Sequence, residues 1–229
     1  MKLISSLIIV TGLLISCTTE KTLVNISHAL VHINPGDYPK VLKRWTRKTT
    51  IIRKFDTTLD VEATLLSWEF RWGYTVKYSR DFNLSETEKK NLWSLQQSEL
   101  ESGIEFVLVV ATTVSAWNDL EKGTPKLAGP GKKAKGSHWR ISLRVDKSHD
   151  EILPEYVKVI DPVTQIHTNM FPSIGHFHRL YLVRFPAKSG NKKVLPDNAK
   201  LIQLKFTGPL GKTSLKWYTT NTQIQSSQE

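Results

Sequence analysis

One cysteine, Cys17, stands in 229 residues, and a lone thiol excludes an intramolecular disulfide framework. Long apolar runs are also missing. After residue 16 every strong apolar stretch is broken by charge within about ten residues, well short of the roughly 20 that a membrane-crossing helix needs. There is no Gly-x-Ser-x-Gly elbow, so that form of activated serine is excluded. Acidic residues are in deficit: 21 Asp and Glu against 32 Lys and Arg give a formal charge of +11. No internal repeat is visible.

What the chain does have begins at its first residues. Lys2 precedes an apolar segment, Leu3 to Ile15, interrupted only by Ser5, Ser6, Thr11 and Gly12. That is too short to span a bilayer but suits a secretory signal. It ends in Leu14-Ile15-Ser16-Cys17, which resembles the lipobox of bacterial lipoproteins. The resemblance implies cleavage before Cys17, a diacylglyceryl group on its sulfur and an acyl group on its new amino terminus. More than one acyl chain makes a stable anchor, so the expected partner is a membrane, held through the chains on Cys17. Thr18 in place of Asp resembles the enterobacterial pattern for release to the outer membrane, which implies its periplasmic face. An ordinary buried N-terminal helix, or a cleaved signal with an incidental cysteine, is the competing reading. The chain is accordingly divided into a signal peptide (1–16), a lipidated cysteine and tether (17–40), one β-rich domain (41–218) and a polar, disordered tail (219–229).

Lys40, Lys43, Arg44, Arg47, Lys48, Arg53 and Lys54 form a run with no acidic residue between its ends, and Lys122, Lys126, Lys132, Lys133 and Lys135 form a second cluster. Envelope surfaces are anionic through lipid headgroups and phosphorylated lipopolysaccharide, so the first run is a candidate site for an anionic envelope component. A solvated basic surface explains it equally well. Export makes nucleic acid an unexpected partner. No protein partner can be named from these residues.

Alternation of apolar residues predicts strands over Thr57–Leu66, Trp139–Val145, Tyr156–Ile160 and Leu180–Phe185. Phe106–Val114 reads as a strand buried on both faces. Leu201–Phe206 and Ser214–Trp217 are separated by the turn Gly208-Pro209-Leu210-Gly211. The tether is expected to become ordered near Leu23–Ile33, and Asn34-Pro35-Gly36-Asp37 reads as a turn after it. Ser67 to Tyr78 fits both templates: its aromatic residues alternate, while Ser67 as N-cap and Glu69 in a first turn favour helix. Ser85-Glu86-Thr87-Glu88 is a capping box ahead of a helix that stops at Gly103. The expected class is α+β: mainly an antiparallel, immunoglobulin-like β-sandwich with a helical insertion around residues 67–103.

Thr64-Leu65-Leu66-Ser67 with Glu69-Phe70-Arg71, Trp117-Asn118-Asp119-Leu120, Trp139-Arg140, Val183-Arg184-Phe185-Pro186 and Phe206-Thr207-Gly208-Pro209-Leu210-Gly211 occur in that order. Together, from Trp45 to Trp217, they resemble a group of uncharacterised bacterial envelope proteins. The likeness implies a helix at Ser67–Tyr78 and brings no activity with it.

His167, His176 and His178 offer three imidazoles for zinc or copper, the last two on one face if they lie on a strand. Surface or core-edge histidines are the plainer reading. Asp146, Ser148, Asp150 and Glu151 lack the glycine and spacing of a calcium loop and read as a hairpin turn. Gly211-Lys212-Thr213 imitates the end of a phosphate loop, but a strand follows where a helix is required. Gly129-Pro130-Gly131 reads as a flexible basic loop. Trp139 and Trp217 read as core, and Trp117 as the exposed tryptophan. No catalytic residue and no cofactor is assigned. The expectation is a lipid-anchored envelope protein with a non-enzymatic interaction or structural role; an anionic-ligand binder and a metal protein are the alternatives.

Overall fold

The computed structural model describes residues 22–28, 32–123 and 136–220. Its elements in chain order are β1 (Leu23–Asn25), α1 (Tyr38–Trp45), β2 (Thr46–Arg53), β3 (Asp56–Leu65), α2 (Trp68–Asp81), α3 (Glu86–Ser102) and β4 (Gly103–Ala111). They continue with β5 (Arg140–Val145), β6 (Tyr156–Ile160), α4 (Gln165–Met170), β7 (Arg179–Pro186), a small ribbon of β8 (Lys188–Ser189) and β9 (Lys192–Lys193), then β10 (Leu201–Gly208) and β11 (Gly211–Thr220). The class is α+β. One sheet has the order β2-β3-β4-β7-β6 with every neighbour antiparallel. The other has the order β1-β11-β10-β5, antiparallel except that β1 runs parallel to β11.

Register explains where the core lies. Leu65, Phe106 and Val183 are cross-strand partners, as are Ala63, Leu108 and Tyr181. Directly opposed residues point to one face, and these are all buried. They meet the inward row of the second sheet, where the Phe106 ring lies 5.3 Å from Trp217. That second row alternates cleanly: Ile202, Leu204 and Phe206 are buried, while Gln203 and Lys205 between them are not. The opposite face of the first sheet carries Val107, Val109, Leu180 and Leu182, and is covered by helices. So β4 is buried on both faces, as its unbroken apolar run predicts.

The helical insertion falls where expected. The Ser67 hydroxyl caps α2 by accepting from the Phe70 amide at 3.2 Å. The alternating aromatics mislead because α2 is contacted on several sides: Phe70 enters the core, while Trp68 and Trp72 meet Trp93 of α3. Gly73 allows α1 to approach, since a Cβ there sits 3.2 Å from Val41. The Ser85–Glu88 capping box opens α3, with the Ser85 amide 2.8 Å from Glu88 Oε2.

Several elements lie outside the sequence reading, among them α1, β2 and α4. β1 and the 3-10 turn at Pro35–Asp37 fall where order and a turn are expected, but α1 begins within the stretch read as tether. In α1, Tyr38, Val41 and Trp45 are buried at helical spacing while Lys40, Lys43 and Arg44 face outward. Reading the basic run for its charge hid that stripe. The core therefore draws on residues from Val24 to Trp217, and a chain starting at Thr18 contains every described element. Cys17, the signal segment and residues 221–229 of the tail lie outside the described residues, as do Lys126 to Lys135 and Gly129-Pro130-Gly131.

Candidate functional site

Beneath the helices, charged side chains from α2, α3, β4 and β7 converge. Glu105 of β4 shares a cross-strand row with Arg184 of β7, whose other neighbour in the row is Tyr156 of β6. The first turn of α2, starting straight after β3, swings Arg71 over that row. Arg71 donates to Glu105 Oε2 at 2.5 Å, to Gln96 Oε1 at 2.8 Å and to the Leu66 carbonyl at 3.2 Å. Arg184 Nε donates to Glu105 Oε1 at 2.8 Å, and its other arm pairs with Glu99 of α3. The Tyr156 hydroxyl donates to Glu105 Oε1 at 3.0 Å, and its ring lies 5.2 Å from the Arg184 guanidinium.

Burial sets the electrostatics of this group. Glu105 and Arg71 are 4% and 3% exposed. Desolvation drives the Arg71 value below the ordinary arginine range, with the Glu105 carboxylate working against it. For Arg184 burial again pulls down, but Glu105 and its neighbours outweigh it and the value is raised. Tyr156 is pushed up to about 12, first by burial and then by the Glu105 charge. Its hydroxyl is therefore a fixed donor at neutral pH. Every charge here faces an opposite charge, and the group ties α2 and α3 to the sheet.

A cavity of about 500 Å³ opens over this network, with Phe70, Tyr74, Leu95, Ile166 and Leu182 on its walls. A second of about 380 Å³ lies at the other side of Glu105 and Leu66, which line both. Ile26, Leu65, Leu100, Ile104 and Leu195 wall it together with Trp68 and the carboxylates of Glu101, Glu105 and Asp197; the Trp68 indole Nε1 is buried and has no hydrogen-bond partner among the described residues. A cluster of rings, the exposed His28 with the half-buried Trp68, Trp93 and Trp72, runs along the outside of α2 and α3.

The basic run is largely engaged in holding the fold. Lys40 pairs with Asp37 at 3.0 Å, Arg44 with buried Glu69, and Lys48 with Asp60 at 3.2 Å. Arg47 donates to the Lys216 carbonyl at 3.0 Å and to the Thr22 carbonyl at 3.2 Å, and Arg53 donates to the Pro209 carbonyl at 3.0 Å. Lys43 and Lys54 make no ion pair among the described residues.

The three histidines do not converge. His167 Nδ1 accepts from the Thr164 amide at 3.0 Å as part of the α4 cap, and His178 Nδ1 accepts from the Gly175 amide at 3.0 Å. His176 is exposed in the turn before β7, so the one-face strand geometry expected of it and His178 is corrected. Among the described residues no three His, Cys, Asp or Glu side chains are grouped to hold a metal ion. The chain turns back over Asp146–Glu151, so that Ile152 bridges Leu143 antiparallel, while the Asp146 carboxylate accepts from the Lys200 and Leu201 amides and Glu151 pairs with Lys205. Trp117 is half-buried rather than exposed, and its carbonyl accepts from Trp139 Nε1 at 3.0 Å.

That contact belongs to a polar knot the sequence reading missed. Asp119 accepts from the Ser137 hydroxyl at 2.8 Å, the His138 amide at 3.0 Å and the His138 ring at 2.8 Å. Asn118 donates to the Val110 carbonyl at 2.9 Å and accepts from the Tyr181 hydroxyl at 2.9 Å. Ser137 bonds the carboxylate and not the imidazole, so no serine–histidine–aspartate relay is formed. The Trp117–Leu120 and Trp139 motifs are thus a clamp across the end of β4. Burial works to raise the Asp119 carboxyl, but the His138 amide and the other donors outweigh it and hold it below its ordinary value of 3.8. A carboxylate depressed on folding stabilises above its unfolded pKa, and that contribution is lost as pH falls through the folded one. Asp119→Asn should lower stability at pH 7 by about 1.5–3 kcal/mol. Its urea midpoint should also vary less with pH below about 4 than the wild type's. An unchanged pH profile would remove Asp119 from the clamp.

No family model and no curated protein matches the chain. Among solved structures, a novel protein of unknown function from Burkholderia pseudomallei K96243 is similar at 9% identity and a TM-score of 0.33, covering 80% of this chain and 89% of that one. A score that low carries no argument about this chain.

Proposed function

We propose that the chain is a lipid-anchored protein of the cell envelope, on the periplasmic face of the outer membrane, with a non-enzymatic interaction or structural role. The observation that carries it is the lipobox-like Leu14-Ile15-Ser16-Cys17 together with the position of the first described strand. Leu23, the first residue of β1, follows Cys17 by six positions, a reach of about 20 Å at most. Arg47 ties the Thr22 carbonyl to the basic strand β2, so a lipidated Cys17 would hold that side of the domain against the headgroups. The network of Arg71 and Arg184 with Glu105 and Glu99, two cations balanced by two anions, supports binding or scaffolding over catalysis. In the finer reading of the fold the two sheets form a sandwich, supported by the Phe106–Trp217 contact. Its immunoglobulin-like form has only that packing behind it, since the order β2-β3-β4-β7-β6 is not that of the ABED and CFG sheets.

A second reading, that the basic side also binds an anionic surface, is favoured by Lys43 and Lys54 and weakened by the engagement of the other five cations. One fractionation tests both. Wild type should stay with membranes in high salt and carry the mass of its acyl groups, whereas Cys17→Ala should become soluble in high salt. Partial retention of Cys17→Ala at low salt alone is expected if exposed cations add a screened attraction. Wild type without acyl mass, or Cys17→Ala that still sediments in high salt, overturns the anchor. Complete release at low salt overturns the second reading.

A further inference from the structure

We propose that the end of the molecule carrying the β2–β3 turn dips into the surface of a bilayer containing anionic phospholipid, with Phe55 and Phe177 as its apolar wedges. The inference does not depend on the acyl anchor; it deepens the second reading above and rests on it only for the attraction of cations to the surface. It starts from the two most exposed large apolar side chains among the described residues, Phe55 at 103% and Phe177 at 89%. Exposed apolar residues scattered singly are ordinary, but these two come from separate turns that the topology brings to one end of the first sheet. Phe55 lies in the two-residue turn between Arg53 and Asp56, which are paired in register. The chain leaving β4 passes beside that turn, where the Thr113 amide donates to the Thr57 carbonyl at 2.9 Å. Arg179, which opens β7 two residues after Phe177, is paired with Val110 near the end of β4. Ile52 and Val114, also exposed, stand at the same end.

The turn is built against its own stability. Lys54 holds φ at +58°, in the left-handed region that glycine fills without strain and that two-residue hairpin turns ordinarily give to glycine, asparagine or aspartate. The sequence puts a cation there and a bare phenylalanine after it. Lys54 makes no ion pair among the described residues, and neither does Lys212, exposed at the start of β11. The β10–β11 turn reaches the same end, since the Arg53 guanidinium donates to its Pro209 carbonyl at 3.0 Å. Of the carboxylates at this end, Asp60 is answered by Lys48, Asp119 by Lys122 and Glu121 by Arg179. Asp56 stands beside Arg53, and Asp161 lies at the far edge of the sheet, after β6. Around Phe55, then, Arg53, Lys54 and Lys212 stand against one carboxylate. A protein partner needs a closely packed, complementary patch; rings on separate turns do not form one, whereas a fluid bilayer closes around each. Apolar side chains at the acyl boundary and cations among the headgroups are what hold a protein on such a surface. Two rings are a weak anchor, so the contact is reversible and yields to high salt.

The test uses the chain starting at Thr18, which contains no cysteine, and vesicles of phosphatidylcholine mixed with phosphatidylglycerol. Phe55→Cys, Phe177→Cys and Asn191→Cys each then carry a single environment-sensitive fluorophore. Asn191 is exposed in the β8–β9 turn beyond Pro186, at the opposite end of the first sheet. At low salt the labels at positions 55 and 177 should shift to the blue on adding vesicles and be quenched by nitroxide-bearing acyl chains, and the label at 191 should do neither. In co-sedimentation, Phe55→Ser should weaken binding roughly tenfold, as for exposing one buried ring, at an unchanged melting temperature. Lys54→Gly should weaken binding about fivefold and raise the melting temperature. Co-sedimentation with the labels at 55 and 177 unmoved overturns the insertion and leaves the basic-surface reading standing. No co-sedimentation at low salt overturns both. Equal affinity for phosphatidylcholine alone overturns the anionic lipid. A vesicle-free dimer that Phe55→Ser dissociates assigns the rings to a second copy of the chain and overturns the bilayer.

Discussion

Glu105→Ala is expected to lower the stability of the domain by about 3–5 kcal/mol, the range for removing one member of a buried ion group. The size follows from what is left behind. Glu105 accepts from Arg71, Arg184 and Tyr156 at once. Truncation strands the Arg71 guanidinium, 3% exposed, with only Gln96 and the Leu66 carbonyl. Arg184 retains Glu99 and is more exposed, so Arg71 carries most of the loss. Desolvation is the larger cost in such a group, and substituting the charged members by apolar residues of similar volume is often neutral. Arg71→Met with Glu105→Leu should therefore recover most of the stability lost in Glu105→Ala. The same change should loosen α3 first, because Gln96 and Glu99 are its polar ties to this network and none of its side chains is buried. Amide exchange across residues 86–102 should accelerate more than that of β4. Chemical denaturation of the three proteins measures the ordering. A loss below about 1 kcal/mol for Glu105→Ala would mean that the network is hydrated and interchangeable.

The parts of this architecture that were legible beforehand are those in which local chemistry and tertiary environment agree. The strand at Ile202–Phe206 alternates because one face meets the core and the other is partly open to water, and the alternation of Ile141–Val145 marks its core face even though Ser142 on the other face is buried too. The caps at Ser67 and Ser85 could be read because a hydroxyl and a carboxylate satisfy amides only a few residues away. Trp68 to Tyr78 was ambiguous for a physical reason: a helix contacted by α1, α3 and the sheet has no single apolar stripe. The seven cations from Lys40 to Lys54 read as a free basic face because charge is visible in sequence and partners are not. Glu69, Asp60 and the carbonyls of Thr22, Lys216 and Pro209 lie far from them along the chain. The cavity network was hidden for the same reason, since Arg71, Glu105, Tyr156 and Arg184 come from four elements. Arg71 and Arg184 did stand within the motifs that carried the family likeness, beside Trp117-Asn118-Asp119. Of those motifs, Glu69-Phe70-Arg71 and Trp117-Asn118-Asp119 supply buried polar contacts of the fold.

Trp217→Ala should be the most damaging substitution on the apolar side. Trp217 is fully buried, its ring meets Phe106 across the two sheets, and its Nε1 donates to the Trp45 carbonyl at 2.8 Å. Removing a buried tryptophan costs about 3–5 kcal/mol, and leaving the Trp45 carbonyl without its donor adds about 1–3 kcal/mol. Against a typical total of about 5–15 kcal/mol, that takes most of the margin. At about 2–4 °C per kcal/mol for a domain of this size, the melting temperature should fall by about 10 °C or more. Trp217→Phe separates the two contributions. It keeps an aromatic ring against Phe106 but loses the hydrogen bond, and should fall between wild type and alanine. The position also links the core to the tether: β11 carries Trp217 and pairs with β1, while Arg47 spans the Trp217 ring and the Thr22 carbonyl. A cavity at Trp217 should therefore raise proteolytic nicking near Thr22 before global unfolding. If Trp217→Ala and Trp217→Phe melt together, the indole hydrogen bond, and not the packing between the sheets, is what holds this corner.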